Sequence, residues 1–380
     1  MRNLFAIVLA FVTLLSCSPK YEKPVEASQV GFAVSFLKSV NAVSGKGENV
    51  VVSPYSAAIA LSMLEEGAEG QTKAEIDNAL GGVAYKAEDL GGNDTIVVNS
   101  ANSVWIDDNF SPRNRYVSLL QKEFDAFIDV ENFASPAAVK AINNWCRENT
   151  DGKITEIIDR LSPSDVMVLI NALYFNAPWE NEFDPDLTTE QPFYGQKKEA
   201  KVQMMSGKGY YMYAENHGFQ VVELPYLGRG YAMYVVLPPK GADLDKLLSK
   251  VDASAYESMK EALAPSQVRV LLPKFKVETS MLLNSALQNM GIRTAFTSAA
   301  DFSGISESGA LAVDQVKQKC YMDVSEKGTE AAAVTSIQIR LTSARPVQKL
   351  PVMRVDRPFF FVIADGAGEK VLFAGKIANL

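Results

Sequence analysis

His217, in the segment AENHGFQ, is the only histidine in the chain. A serine activated by a general base, or a metal held by imidazole, would have to use it. It stands beside Gly218 just before an apolar run, the setting of an exposed turn, and no G-x-S-x-G nucleophile elbow accompanies it. A zinc site needs three or four ligands; one histidine and cysteines at positions 17, 146 and 320 do not supply them at metal-binding spacings. Gly45-Lys46-Gly47 and Gly207-Lys208-Gly209 lack the earlier glycine and the following Ser or Thr of a phosphate loop, and both read as turns. The carboxylate pairs Glu65-Glu66 and Asp107-Asp108 read as solvated charges. A hydrolase built on His217 therefore rests on a single residue, and no metal or cofactor is expected.

The segment that stands apart is EKGTEAAAVTSIQIRLTS, residues 326–343. Taken in steps of two, it gives Thr329, Ala331, Ala333, Thr335, Ile337, Ile339 and Leu341 on one face, small and then apolar. The other face carries Glu330, Ala332, Val334, Ser336, Gln338, Arg340 and Thr342, mostly polar. That period is a half-buried strand, far longer than the usual 5–6 residues or so. Its front half holds three consecutive alanines, and alanine is a poor strand former. The pattern describes a strand that is latent rather than committed.

Around it, the period of apolar residues predicts helices at 56–68 and 137–150, the second followed by another apolar rhythm at Ile154, Ile157, Ile158 and Leu161. Strands are predicted at 166–175, 219–226, 231–238 and 268–277, and a hairpin over 358–378 around Asp365-Gly366-Ala367-Gly368. Residues 81–94, rich in glycine and charge, read as a loop between helices. Helices early and strands late favour an α+β fold.

The 380 residues carry 37 basic and 45 acidic side chains, a net charge of −8, with no basic tract. That argues against nucleic acid as a partner, because such binding rests on neutralising phosphates. Residues 1–17, MRNLFAIVLAFVTLLSC, have the layout of a secretory signal, with an apolar run too short to span a membrane. Leu14-Leu15-Ser16-Cys17 resembles a bacterial lipobox, which implies acylation of Cys17 and, with Ser18 next, an outer-membrane lipoprotein of a Gram-negative bacterium on its surface or periplasmic face. Residues 18–28 read as a tether. Cys146 and Cys320 read as free buried thiols, with a bridge between them the alternative in an exported chain.

Several segments resemble serpins: NVVVSPYSAAIALSMLEEGAEGQTKAEI (49–76), INNWCRENTDGKITEII (142–158), INALYFNAPWENEF (170–183), ADFSGIS (300–306), EKGTEAAA (326–333), and VDRPFFFVI with LFAGKI near the end. They fall in family order across residues 29–380. The resemblance implies one domain with three β-sheets and a reactive-centre loop at about 326–350. It implies no enzyme activity of the chain's own, but suicide inhibition of serine proteases, with papain-like cysteine proteases a second class of target. The protease cuts the loop, forms an acyl-enzyme, and is trapped as the loop inserts into the main sheet. In this reading Glu326, Gly328, Thr329, Glu330, Ala331, Ala332, Ala333 and Thr335 form the hinge, whose small side chains enter first, and the protein is a monomer.

Family spacing places the scissile bond at Thr342–Ser343, which suits an elastase-like protease; Arg340, Leu341 and Arg345 mark the alternative cleavage sites. Ser53, Ser56 and Asn171 match a polar cluster that controls sheet opening, with Gln318 where serpins commonly carry histidine, and Trp179 matches the aromatic where the loop first enters. Met353 replaces a frequent aromatic, and no Lys/Arg cluster resembles a heparin site. The alternative within the family is a non-inhibitory serpin acting as a binding module or protease substrate.

Overall fold

The computed structural model describes residues 28–87, 90, 96–307, 311–329 and 350–380. Among these are eight helices: α1 Gln29–Val43, α2 Pro54–Glu65, α3 Gly70–Leu80, α4 Asn114–Phe124, α5 Pro136–Glu148, α6 Leu244–Leu248, α7 Ala253–Glu261 and α8 Asn284–Asn289. Local chemistry sets the two helices that matter for the site. Ser53 caps α2, its side chain accepting from the Ser56 N–H, with Pro54 opening the first turn. Ser135 and Pro136 do the same for α5. Helix α2 is buried from Pro54 to Leu64, so it lies inside the molecule. Helix α5 buries only Ala138, Ile142 and Cys146, one stripe at a spacing of four, so it lies on the surface of a sheet. Among the described residues no helix is long and apolar enough to cross a membrane.

The strands are β1 Val50–Val52, β2 Val97–Asp107, β3 Phe127–Glu131, β4 Met167–Pro178, β5 Thr189–Tyr194, β6 Glu199–Asn216, β7 Phe219–Pro225, β8 Tyr231–Leu237, β9 Ala264–Pro273, β10 Phe275–Leu282, β11 Gln315–Ser325, β12 Gly328–Thr329, β13 Val352–Arg354, β14 Phe359–Asp365 and β15 Val371–Ile377. Hydrogen bonding joins them into two networks. One runs β10-β11-β12-β4-β2-β3; the other runs β1-β15-β14-β8-β7-β6-β9-β13, with β5 on β6. The three expected sheets are here with two of them fused. Strand β6 is 18 residues long; its first part pairs with β5 and its last part with β7, so it passes from one sheet into the next.

Strand β4 is buried at every position but Asn176, as expected of a central strand with both faces covered. The main core lies between the two networks and around α2. A second cluster lies on the other face of the six-stranded sheet, where Ala138, Ile142 and Cys146 of α5, with Ile154, Ile157 and Ile158 after it, pack on Val168, Ile170 and Ala172 of β4.

Three sequence expectations need correction. The run 268–277 is two strands, β9 and β10, in different networks; Pro273 offers no N–H to continue the ladder, and the chain changes sheet at Lys274. Residues 81–94 connect α3 to strand β2, which the polar SANS segment concealed. Gly207-Lys208-Gly209 lies within β6 and is not a turn. A Cβ on Gly207 would press on Phe183 and Tyr211 at 3.1 Å, so the glycine serves packing of β6 rather than a bend.

Candidate functional site: the seam of the main sheet

The site is the line along which β11 and β4 meet. The two strands pair directly, in parallel, from Gln315↔Val168 to Cys320↔Leu173. Beyond Cys320 they stop pairing with each other. At their far end β12 sits between them, with Thr329 opposite Val324 of β11 and Ala177 of β4, and Gly328 opposite Ser325 and Pro178. Gly328 and Thr329, two of the residues expected in the hinge, are thus seated as a strand at the head of the seam.

Across the closed part runs a polar cluster. The Gln318 carbonyl oxygen accepts from the Ser53 N–H at 2.9 Å; its amide donates to the Ser53 carbonyl at 2.9 Å and to Asn171 Oδ1 at 2.6 Å. Asn171 Nδ2 donates to the Ser56 carbonyl at 2.7 Å and to Asn102 Oδ1 at 2.6 Å, and also touches Ser56 Oγ. Asn102 Nδ2 donates to Ser100 Oγ at 3.2 Å. Ser53, Ser56 and Asn171 are fully buried and Gln318 nearly so. All four residues expected here come together, and they tie the start of α2 to β4 and β11. Asn102 was missed. The signal was a buried-face asparagine in β2, in step with the apolar Val104 and Ile106.

Gln318 uses both ends of its amide, so the cluster closes without a titratable side chain. Truncation to Gln318→Ala leaves Asn171 Oδ1 and the Ser53 backbone groups unpaired in a buried site. We expect a loss of about 3 kcal/mol, or about 4 °C in Tm, measured by thermal unfolding of the intact chain.

At the head of the seam, Trp179 Nε1–H donates to the Ser325 carbonyl at 2.9 Å, and the indole stacks on Tyr226 with ring centres 4.5 Å apart. Tyr226 Oη and Thr329 Oγ1 are hydrogen-bonded at 2.6 Å, with Thr329 fully buried. Gly328 has φ 155°, and a Cβ there would fall 2.2 Å from the Ala177 carbonyl oxygen, so only glycine fits. Glu326 pairs with Lys274 at 2.7 Å and accepts from Thr188 Oγ1 at 2.9 Å. Trp179, Glu326, Gly328 and Thr329 therefore converge as expected, while Tyr226 and Lys274 join them from segments the sequence did not connect. Glu330, Ala331, Ala332, Ala333, Thr335, Arg340, Leu341, Thr342, Ser343, Arg345 and Cys17 lie outside the described residues.

Burial alone would raise the Glu326 carboxyl, but the Lys274 ammonium, the Glu326 N–H and the Thr188 hydroxyl outweigh it and hold the group below its usual value. A depressed carboxylate stabilises the fold above its unfolded pKa, and that stability is lost as pH falls through the folded value. The head of the seam should therefore be indifferent to pH from neutral down to about 4.5 and loosen only in stronger acid. Glu326→Gln should remove that acid response and cost about 1 kcal/mol at pH 7, since the half-exposed Lys274 is screened by solvent. Trp179 fluorescence followed against pH in both forms tests this.

The outer face of the seam is covered by α5 and the stretch after it. Lys319 Nζ donates to the Glu156 carbonyl at 2.6 Å, and Lys317 pairs with Asp159 at 3.0 Å. Cys146 lies on the sheet-facing stripe of α5 whereas Cys320 faces the main core, so the two thiols lie on opposite faces of the sheet, free and buried, each pushed up to about 12 by burial. His217 sits exposed in the β6–β7 turn with φ 47°.

A family model described as "Serpin (serine protease inhibitor)" matches residues 27–380. The chain belongs to the serpin family. A serpin-like protein of Thermococcus kodakarensis is 33% identical over 94% of this chain and 86% of its own length. A protein of Cyanea capillata named as a serine protease inhibitor is 34% identical over 91% and 96%. The crystal structure of the thermophilic serpin tengpin in its native state superposes with a TM-score of 0.85 at 29% identity, covering 97% of this chain and 96% of that one. Membership puts this serpin among proteins that generally inhibit serine proteases rather than catalyse a reaction.

Proposed function

We propose that this serpin is an irreversible, suicide-type inhibitor of serine endopeptidases, elastase-like ones foremost, which it traps as acyl-enzymes by inserting its cleaved loop into the seam of the main sheet. The observation that carries the reading is the register. Thr329 lies between Val324 and Ala177, so each step along the loop moves one step back along both strands. Thr335 then arrives between Gln318 and Asn171, which already face each other. The strand fits without a register shift. The Gln318–Asn171 bond must break, and a threonine hydroxyl, donor and acceptor at once, can take over its groups. Thr335 falls on the face of Thr329, which points into the core.

The same count takes Ile339 opposite Met167, where β4 begins, and carries Thr342 past the end of the sheet. Cleavage at Thr342–Ser343 would therefore haul the acylated end about 13 residues, roughly 43 Å, along the seam. The chemistry of the cut is the protease's; this chain supplies a refolding step that outruns deacylation. Export and anchoring through acylated Cys17 at the outer membrane complete the reading, supported by the signal layout of residues 1–17.

Mixing with an elastase and running a denaturing gel tests it. A trap yields a protease–serpin complex that survives SDS; the non-inhibitory alternative yields only clipped chain and overturns the proposal. His217→Ala should change nothing.

A further inference from the structure

On the outside of the β6-β9-β13 sheet, six residues form one exposed strip: Lys208 and Tyr210 of β6, Gln267 and Arg269 of β9, and Val352 and Arg354 of β13. Three features set it apart. First, Lys208 stands directly opposite Arg269 across the antiparallel pair. Like charges in that position destabilise a sheet, and neither has a carboxylate partner among the described residues; Arg269 Nε donates only to Ser206 Oγ, at 3.1 Å. Three cations and no carboxylate occupy the strip, on a chain whose net charge is −8. Second, Tyr210, within β6 and opposite Gln267, is 77% exposed, and Val352, which opens the edge strand β13 opposite Arg269, is 48% exposed. Tyr and Arg ringed by polar groups are the residue types that dominate protein interfaces. Third, Val352 lies nine residues after Ser343, a chain length of at most about 30 Å. A protease domain of about 220 residues has a radius of gyration of about 17 Å, so one engaged at the loop is within reach of this strip.

We propose that the strip is a docking surface for the attacking protease, and that its partner is a serine protease with an acidic rim beside its cleft. Folding does not explain a facing Lys–Arg pair flanked by an exposed tyrosine; recognition of an acidic surface does. Opposite charge would act mainly on the rate of encounter and fade with salt, while Tyr210 and Val352 would supply contact area. This rests on the inhibitor reading above.

The test uses the full chain with an acidic and a basic elastase, each with its catalytic serine changed to alanine so that docking is read without cleavage. At about 0.05 M salt the acidic elastase should bind at least about tenfold tighter than the basic one, and the gap should close at about 0.5 M. The double variant Lys208→Glu/Arg269→Glu should reverse the order, and Tyr210→Ala should weaken both about tenfold. Affinities within twofold or so of the unaltered chain for both variants, with Tm unchanged, overturn the proposal. Active elastase and the unaltered chain, run in parallel on a denaturing gel, report the trap separately: strip-dependent binding without a stable complex would leave docking standing and remove the inhibitor reading.

Discussion

Cutting the chain between Thr342 and Ser343 should raise its melting temperature by at least about 20 °C, although a backbone bond has been lost. For about 350 folded residues the unfolding entropy is about 0.7 kcal/mol/K, so that shift corresponds to about 15 kcal/mol. The source is the seam. In the intact chain, β11 and β4 part after Cys320 and Leu173, and among the described residues Gly328 and Thr329 sit between them at the head of the gap. After the cut, a strand continuing from Thr329 would pair on both sides down to the start of β4. It replaces the six direct pairs from Gln315 to Cys320 with two complete ladders, and buries Ile337, Ile339 and Leu341 on the core face. The measurement is a thermal scan of intact and nicked protein at one scan rate, because such transitions are governed by barriers as well as by equilibrium. An unchanged Tm would remove the stored energy on which trapping depends.

The proposed insertion path would also account for a molecule that stays poised until it is cut. The front of the seam is closed by α5 and residues 150–161, held to β11 by Lys317 and Lys319, and the back by the Gln318–Asn171–Ser53–Ser56 cluster. A strand entering between β11 and β4 must displace both. With Gln318 in place of histidine, the back of the seam carries no group that titrates near neutrality. The chain's only histidine is exposed in a distant turn, so opening should not be gated by pH between about 5 and 8.

What could be read from the sequence followed how local each signal was. Helices α2 and α5 were legible because cap, proline and apolar spacing lie within a dozen residues. The alternation of Thr329, Ala331, Ala333 and Thr335 is a pattern local to that segment, and of the expected hinge the described residues Glu326, Gly328 and Thr329 lie at the head of the seam. The division of 268–277 into β9 and β10 was not, since nothing in the apolar run states which sheet each half joins; only the proline at 273 hinted at the break. Lys208 looked like a turn because glycines flank it, yet Gly207 answers to Phe183 across the fold, and both glycines leave room for Tyr211 of the same strand. Asn102, Tyr226 and Lys274 reach the seam through contacts 69, 103 and 52 residues or so away in sequence, and no spacing rule reports such contacts. The seating of Gly328 and Thr329 as β12 is likewise a tertiary fact: it depends on the Ala177 carbonyl leaving room for a glycine and no larger residue.

Thr329→Arg should turn the inhibitor into a substrate. Thr329 is fully buried between two strands, its hydroxyl bonded to Tyr226 beneath the stacked Trp179. An arginine there would carry an unpaired charge into the core, which costs several kcal/mol, about 3–5 on the scale of broken buried pairs. The intact chain can avoid that cost by leaving β12 unseated, so it should still fold, losing about 2–4 °C through the vacated head of the seam. Once the loop is cut there is no such escape in the proposed mechanism, where insertion starts at this residue and every later one follows it in register. Elastase should therefore cleave the variant at an undiminished rate. If insertion outruns deacylation about tenfold in the unaltered chain, a barrier higher by about 3 kcal/mol slows it about 150-fold, and more than about ten inhibitor molecules should be consumed for each protease trapped. The rise in Tm on nicking should vanish with it. Thr329→Ser, which keeps the hydroxyl and the small volume, should behave as the unaltered chain. If the arginine variant still traps protease one for one, the hinge does not lead the insertion.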